Sequence, residues 1–67
     1  MDTTYVACVS VAVAKSAARN ASKRHRWAAV WNSPDGPVYA KGPGADTERL
    51  GKPGWDFVTK YTDGIEF

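Results

Sequence analysis

From Thr4 to Val9 the chain alternates, with Tyr5, Ala7 and Val9 on one side and Val6 and Cys8 on the other, which predicts a strand. At Ser10 the spacing lengthens. Val11, Ala14, Ala18 and Ala21 recur at i, i+3, i+7 and i+10, the stripe of an amphipathic helix over about residues 10–23, with Ser10 as N-cap. Alternation returns over 26–32, placing Trp27, Ala29 and Trp31 on one face and Ala28, Val30 and Asn32 on the other. Ser33-Pro34-Asp35-Gly36 has turn chemistry, and 38–41 reads as the partner strand of a hairpin. Pro37 has no amide donor and so belongs at the start of that strand or on an outer edge. Four glycines and two prolines within residues 42–54 exclude a regular element, so this stretch is a long loop, with room for one helical turn at 46–50. Over 55–61 alternation puts Trp55, Phe57, Thr59 and Tyr61 on one side and Asp56, Val58 and Lys60 on the other. Thr62-Asp63-Gly64 then turns the chain ahead of Ile65-Glu66-Phe67.

The expected architecture is α+β: one helix packed on one face of a three- to four-stranded, mainly antiparallel sheet, in β-α-β-β-β order. Residues 1–67 form one small domain with a long Gly/Pro-rich loop at 42–54, without internal repeat or linker. The alanine stripe lets the helix sit close to the sheet. The opposite face is expected to lack a second layer, which would leave any aromatics there open to a partner. So small a sheet also exposes an edge strand through which a second copy could pair as a homodimer.

A chain of 67 residues is near the size at which a core alone can offset chain entropy, and a deep catalytic cleft is not expected. With one cysteine and one histidine it can form no internal disulfide and no Cys/His metal site, and no cofactor motif is present. Cys8 is most simply a small buried hydrophobe. The apolar stretch 5–14 resembles a leader core. Its acidic start, Met1-Asp2-Thr3-Thr4, lacks the positive charge that a secretory leader needs, and no run approaches the roughly 20 apolar residues of a membrane span. A cytoplasmic protein with a reduced thiol is therefore expected.

Charge changes the picture. The formal net charge is +2, but residues 1–41 carry six basic and two acidic groups whereas 42–67 carry three and five. Lys15, Arg19, Lys23, Arg24 and Arg26 follow one another without a carboxylate between them, and on a helix Lys15, Arg19 and Lys23 stack into one ridge. The bland explanation is a solvated helix face, and the macrodipole accounts for two cations at a helix C-terminus but not for five. The ridge therefore points to an anionic partner such as duplex DNA or RNA held through its phosphates, without base reading. Trp27 and Trp31 on one strand face could stack bases, although a domain this small needs such rings in its core.

The segment Ala14-Lys15-x-x-Ala18-x-x-x-Ser22-Lys23, the hairpin ending Tyr39-Ala40-Lys41 and the late strand beginning Trp55-Asp56 resemble the helix-plus-sheet core of the small phage-encoded type I-F anti-CRISPR proteins, over about residues 5–57. The resemblance implies a non-enzymatic inhibitor that sits on the CRISPR surveillance complex where target DNA would pass. It carries over Lys15, Lys23 and Lys41 as surface contacts, in the cytoplasm of the host cell.

No catalytic constellation is legible: Asp56, Asp63 and Glu66 are scattered without a partnering base, and Gly42-Pro43-Gly44 does not continue into a phosphate loop. His25, flanked by Arg24 and Arg26, reads as a neutral member of the basic strip. The expected function is thus binding rather than catalysis, by one of two routes. The first is inhibition of a bacterial nucleic-acid-handling complex of the CRISPR type, and the second is a small nonspecific DNA- or RNA-binding module. Lys15, Arg19, Lys23, Arg24, Arg26, Trp31 and Lys41 are the candidate contact residues, with no catalytic and no metal-binding residue among them.

Overall fold

The computed structural model describes residues 3–67. Strand β1 (Thr4–Ala7) leads into helix α1 (Val11–His25), then β2 (Trp27–Ser33), β3 (Gly36–Lys41), β4 (Asp56–Thr62) and a short β5 (Ile65–Glu66). All pairs are antiparallel, in the spatial order β1-β3-β2-β4-β5. The sheet has five strands rather than the three to four expected, because Ile65 and Glu66 return beside Tyr61 and Thr62. Asp63 (φ 53°) and Gly64 (φ 82°) make that return possible: both lie at positive φ, as a two-residue hairpin turn that matches strand twist requires.

Ser10 begins α1 as expected. Its side chain accepts a hydrogen bond from the Val13 amide at 3.2 Å, satisfying one of the amides that a helix start leaves free. The helix runs two residues beyond the expected end and buries Ala14, Ala18 and Ser22. Ser22 lies in this apolar contact because both its hydrogen-bonding roles are filled. Its hydroxyl donates to the Arg19 carbonyl and accepts from the Gly64 amide, each at 2.8 Å. Ala14 and Ala18 meet Ala28, Val30 and Tyr61, with Cys8, Val11, Ala21, Tyr39 and Val58 around them. With only alanines and the small Ser22 buried on its inner stripe, α1 approaches the sheet closely, and one extra methylene there is felt.

The opposite sheet face is also covered, contrary to expectation. Loop 42–54 folds back over it as a succession of turns, with amide-to-carbonyl bonds Ala45 to Gly42, Glu48 to Gly44, Leu50 to Thr47, Lys52 to Arg49 and Trp55 to Lys52. Only the Gly44–Glu48 bond has helical i+4 spacing, so the helical turn expected at 46–50 is replaced there by tighter turns such as Leu50 to Thr47. Ala45 is buried with Ala29, Trp31, Val38 and Ala40, and Tyr5 and Trp55 close the edge of this second cluster. The Trp31 indole donates to the Ala45 carbonyl at 2.7 Å, the Gly44 amide donates to Thr3 Oγ1 at 2.9 Å, and Tyr5 OH donates to Glu48 at 3.2 Å. Arg49 stacks between the Tyr5 and Trp55 rings, 4.8 and 5.0 Å from their centroids. A loop too rich in glycine to be regular is thus held by its neighbours instead of by its own ladder.

A bulge corrects the expected faces of β4. Val30 pairs with Thr59 but Trp31 pairs with Phe57, which leaves Val58 as an extra residue. Trp55 and Phe57 lie edge-on to Trp31 at 6.4 and 5.2 Å, whereas Tyr61 belongs to the helix-side cluster. One strand therefore supplies aromatics to both layers. Pro37 sits at the start of β3, and its carbonyl accepts from the Cys8 amide at 2.9 Å. Among the described residues no helix is long and apolar enough to cross a membrane.

Candidate anion-binding groove

The basic residues that look like one ridge in the sequence divide between two flanks of α1. Arg24 points to the β3 flank, where the end of the helix meets the start of β2 and the end of β3. A groove of about 500 Å³ opens there, lined by Thr4, Arg24, His25, Arg26, Trp27, Lys41, Gly42 and Pro43. A second concavity of about 210 Å³ adjoins it and shares Arg24, His25 and Lys41, adding Ala17, Asn20, Ala21 and Tyr39. Among the described residues neither lining contains a carboxylate. The structure therefore joins three of the candidate contact residues, Arg24, Arg26 and Lys41, and adds His25, Trp27 and Thr4 to them.

Local sequence explains the convergence. Arg24 and His25 occupy the last turn of α1, where cations are favoured by the helix dipole. Arg26 is the C-cap at φ 67° and ψ −45°, in the left-handed half of backbone space where a side chain is normally replaced by glycine. This conformation reverses the chain within one residue, so that Trp27 already pairs with Thr62 in the sheet. The Arg26 guanidinium lies 5.8 Å from the Trp27 ring centroid. Lys41 arrives from another element, at the end of β3 opposite Thr4 and Ala28. The dipole of α1 accounts for Arg24 and His25 but has no bearing on why β3 ends in a lysine at the same place.

Lys15, Arg19 and Lys23 do not reach this groove. Lys15 and Arg19 line a separate hollow of about 200 Å³ with Ser16, Tyr61 and Glu66, where a carboxylate is already present. Arg19 stacks over the Tyr61 ring at 5.4 Å. Lys23 lies along the β4–β5 turn: a Cβ added to Gly64 would meet Lys23 Cε at 2.8 Å. The apolar stem of Lys23 is thus packed on the hairpin.

Trp31 is not a contact residue. It is 1% exposed, packed against Trp55 and Phe57 and hydrogen-bonded through its indole nitrogen, so no ring face is open for stacking. Loop 42–54 is the physical reason, since it covers the face on which Trp31 would otherwise have been accessible. Trp27, on the same strand face, meets only the start of that loop, where the Gly42 amide donates to its carbonyl at 3.2 Å, and its side chain stays half-buried and lines the groove with Gly42 and Pro43. The sequence contained a sign of this: Trp27 directly follows four consecutive basic or titratable residues, Lys23 to Arg26, at a helix end.

Two tyrosines have hydroxyls pushed above their ordinary pKa. In Tyr61 burial is the main cause, followed by the negative charge of Glu66, whose Oε2 accepts from the phenol at 3.4 Å. In Tyr5 burial again leads, with Glu48 beside it. Neither lines the basic groove. Cys8 is a free thiol, and among the described residues no group of three or more His, Cys, Asp or Glu could hold a metal ion.

No family model matches the chain, and no match was found among curated proteins or solved structures compared with it.

Proposed function

We propose that this is a non-enzymatic binding protein that takes a nucleic-acid phosphate backbone into the groove formed by Arg24, Arg26 and Lys41. The observation that carries this reading is the meeting of cations from the helix end, the C-cap and the end of β3 in a concavity whose described lining has no acidic group. Three phosphate contacts are enough for nonspecific binding that weakens steeply with salt, with log affinity falling against log salt at a slope of about −2 to −3. Base-edge reading is not part of the proposal, because Asn20 is the only side-chain amide beside the groove.

The test is a salt titration of oligonucleotide binding by charge-reversal variants. Arg24→Glu and Lys41→Glu should each weaken binding strongly, and Arg19→Glu should leave it nearly unchanged. A loss from Arg19→Glu with none from Lys41→Glu would return the site to the helix ridge, and equal losses from all three, or no loss from any, would remove the proposal.

A second reading, the inhibitor of a CRISPR-type surveillance complex implied by the anti-CRISPR resemblance, is favoured by a different surface. Leu50 and Phe57, 59% and 43% exposed, line a concavity of about 300 Å³ with Asp46, Thr47 and Lys60. An apolar patch of this kind suits a protein partner better than a phosphate. Affinity capture from bacterial lysate separates the readings: a defined protein complex that survives nuclease and high salt supports the inhibitor, and nucleic acid recovered only without nuclease supports direct binding. Both readings imply a cytoplasmic location.

A further inference from the structure

We infer that the groove is built for single-stranded rather than duplex nucleic acid, with a base stacked on Trp27 and the adjoining phosphate between Arg24, Arg26 and Lys41. This rests on the nucleic-acid reading above and names the form of the ligand.

The order of groups along the two concavities is aromatic, cationic, aromatic. Trp27 lines the larger, Tyr39 lines the smaller, and Arg24, His25 and Lys41 belong to both. That spacing follows the chemistry of a single strand, in which each phosphate is flanked by bases whose faces are free to stack on side chains. A duplex keeps its bases stacked on one another and presents its phosphates on a convex surface. It could touch the rim cations but could not reach an indole inside a concave groove.

The volume agrees. At about 500 Å³ the larger concavity has room for a single nucleotide. Trp27 is also the tryptophan free for this task, since Trp31 is buried and Trp55 packs against Arg49, Tyr5 and Trp31. The Arg26 guanidinium lies over the Trp27 ring at 5.8 Å, so a base entering the groove shares the indole with that cation or displaces it toward the phosphate.

The experiment compares a thymidine oligonucleotide of roughly ten residues, within the usual site size of such binders, with a mixed-sequence duplex of the same length. Anisotropy gives affinity and intrinsic fluorescence reports on the tryptophans. The single strand should bind at least tenfold more tightly than the duplex and quench the fluorescence. Trp27→Phe should retain most of the affinity and abolish the quenching, while Trp27→Thr should lose affinity by roughly 5- to 150-fold, the usual range for one base–aromatic stack. Should the threonine variant not fold, the phenylalanine variant still decides, because quenching that persists without the Trp27 indole overturns the inference. A duplex that binds as well as the single strand overturns the inference while leaving the phosphate-binding reading intact. If neither nucleic acid binds, both fall together.

Discussion

The indole nitrogen of Trp31 donates to the carbonyl of Ala45 at 2.7 Å, and both residues are buried. Through this bond a central strand holds the turn-rich loop that covers it. Trp31→Phe would retain most of the apolar contact and leave the Ala45 carbonyl without a partner. The expected loss is about 1–3 kcal/mol, and Trp31→Ala should lose about 3–5 kcal/mol, both measured by denaturant unfolding. In either variant the loop amides should exchange hydrogen faster than those of β2 and β3.

Arg26 separates stability from binding. Because its φ of 67° suits glycine better than arginine, Arg26→Gly should stabilise the fold by about 1 kcal/mol even as it removes a cation from the groove. Thermal unfolding should therefore shift upward while oligonucleotide affinity falls. A variant that lost both would show that the guanidinium, rather than the backbone, holds the turn into β2.

Ser22 predicts a defined local defect. Removing its hydroxyl in Ser22→Ala leaves the half-buried Gly64 amide without its acceptor, at a cost of about 1 kcal/mol. Denaturant unfolding measures the total, and amide exchange should show the β4–β5 turn loosening first.

The close approach of α1 makes the reverse change equally informative. Ala18 is fully buried, so Ala18→Leu should overpack the helix–sheet contact and destabilise by about 1–3 kcal/mol. A leucine accommodated without loss in the unfolding midpoint would mean that α1 can lift from the sheet.

Tyr61 contributes to stability at the alkaline end. The folded state raises its pKa above the ordinary 10.0, so the neutral phenol is favoured in the fold. This contribution is complete below pH 10 and is lost as pH rises through the higher folded value, where the unfolded chain has already released its proton. Stability should accordingly fall above about pH 10. Tyr61→Phe should flatten that fall, and an ultraviolet titration of the phenolates should show Tyr61 ionising late. Tyr5, shifted in the same direction beside Glu48, should account for much of the remaining slope.

Local order in this protein is decided by the sequence itself. The alternation around Trp27–Trp31, the Ser10 cap, the alanine stripe and the Pro34-Asp35-Gly36 turn each specify an element through neighbours a few residues away, and the α+β class follows from their order. Tertiary structure decides which side chains are available. Trp27 and Trp31 share a face in the sequence, and only the folding back of residues 42–54 buries one while leaving the other in a groove. Lys15, Arg19 and Lys23 are neighbours of Arg24 along the helix, yet α1 rests on the sheet between Arg19 and Arg24 and sends them to opposite flanks. Lys41 joins Arg24 because β3 ends beneath the helix C-terminus, a coincidence of strand register that no local pattern encodes. Side-chain direction depends on a few consecutive dihedrals, whereas burial and the meeting of charges depend on contacts between residues far apart in the chain.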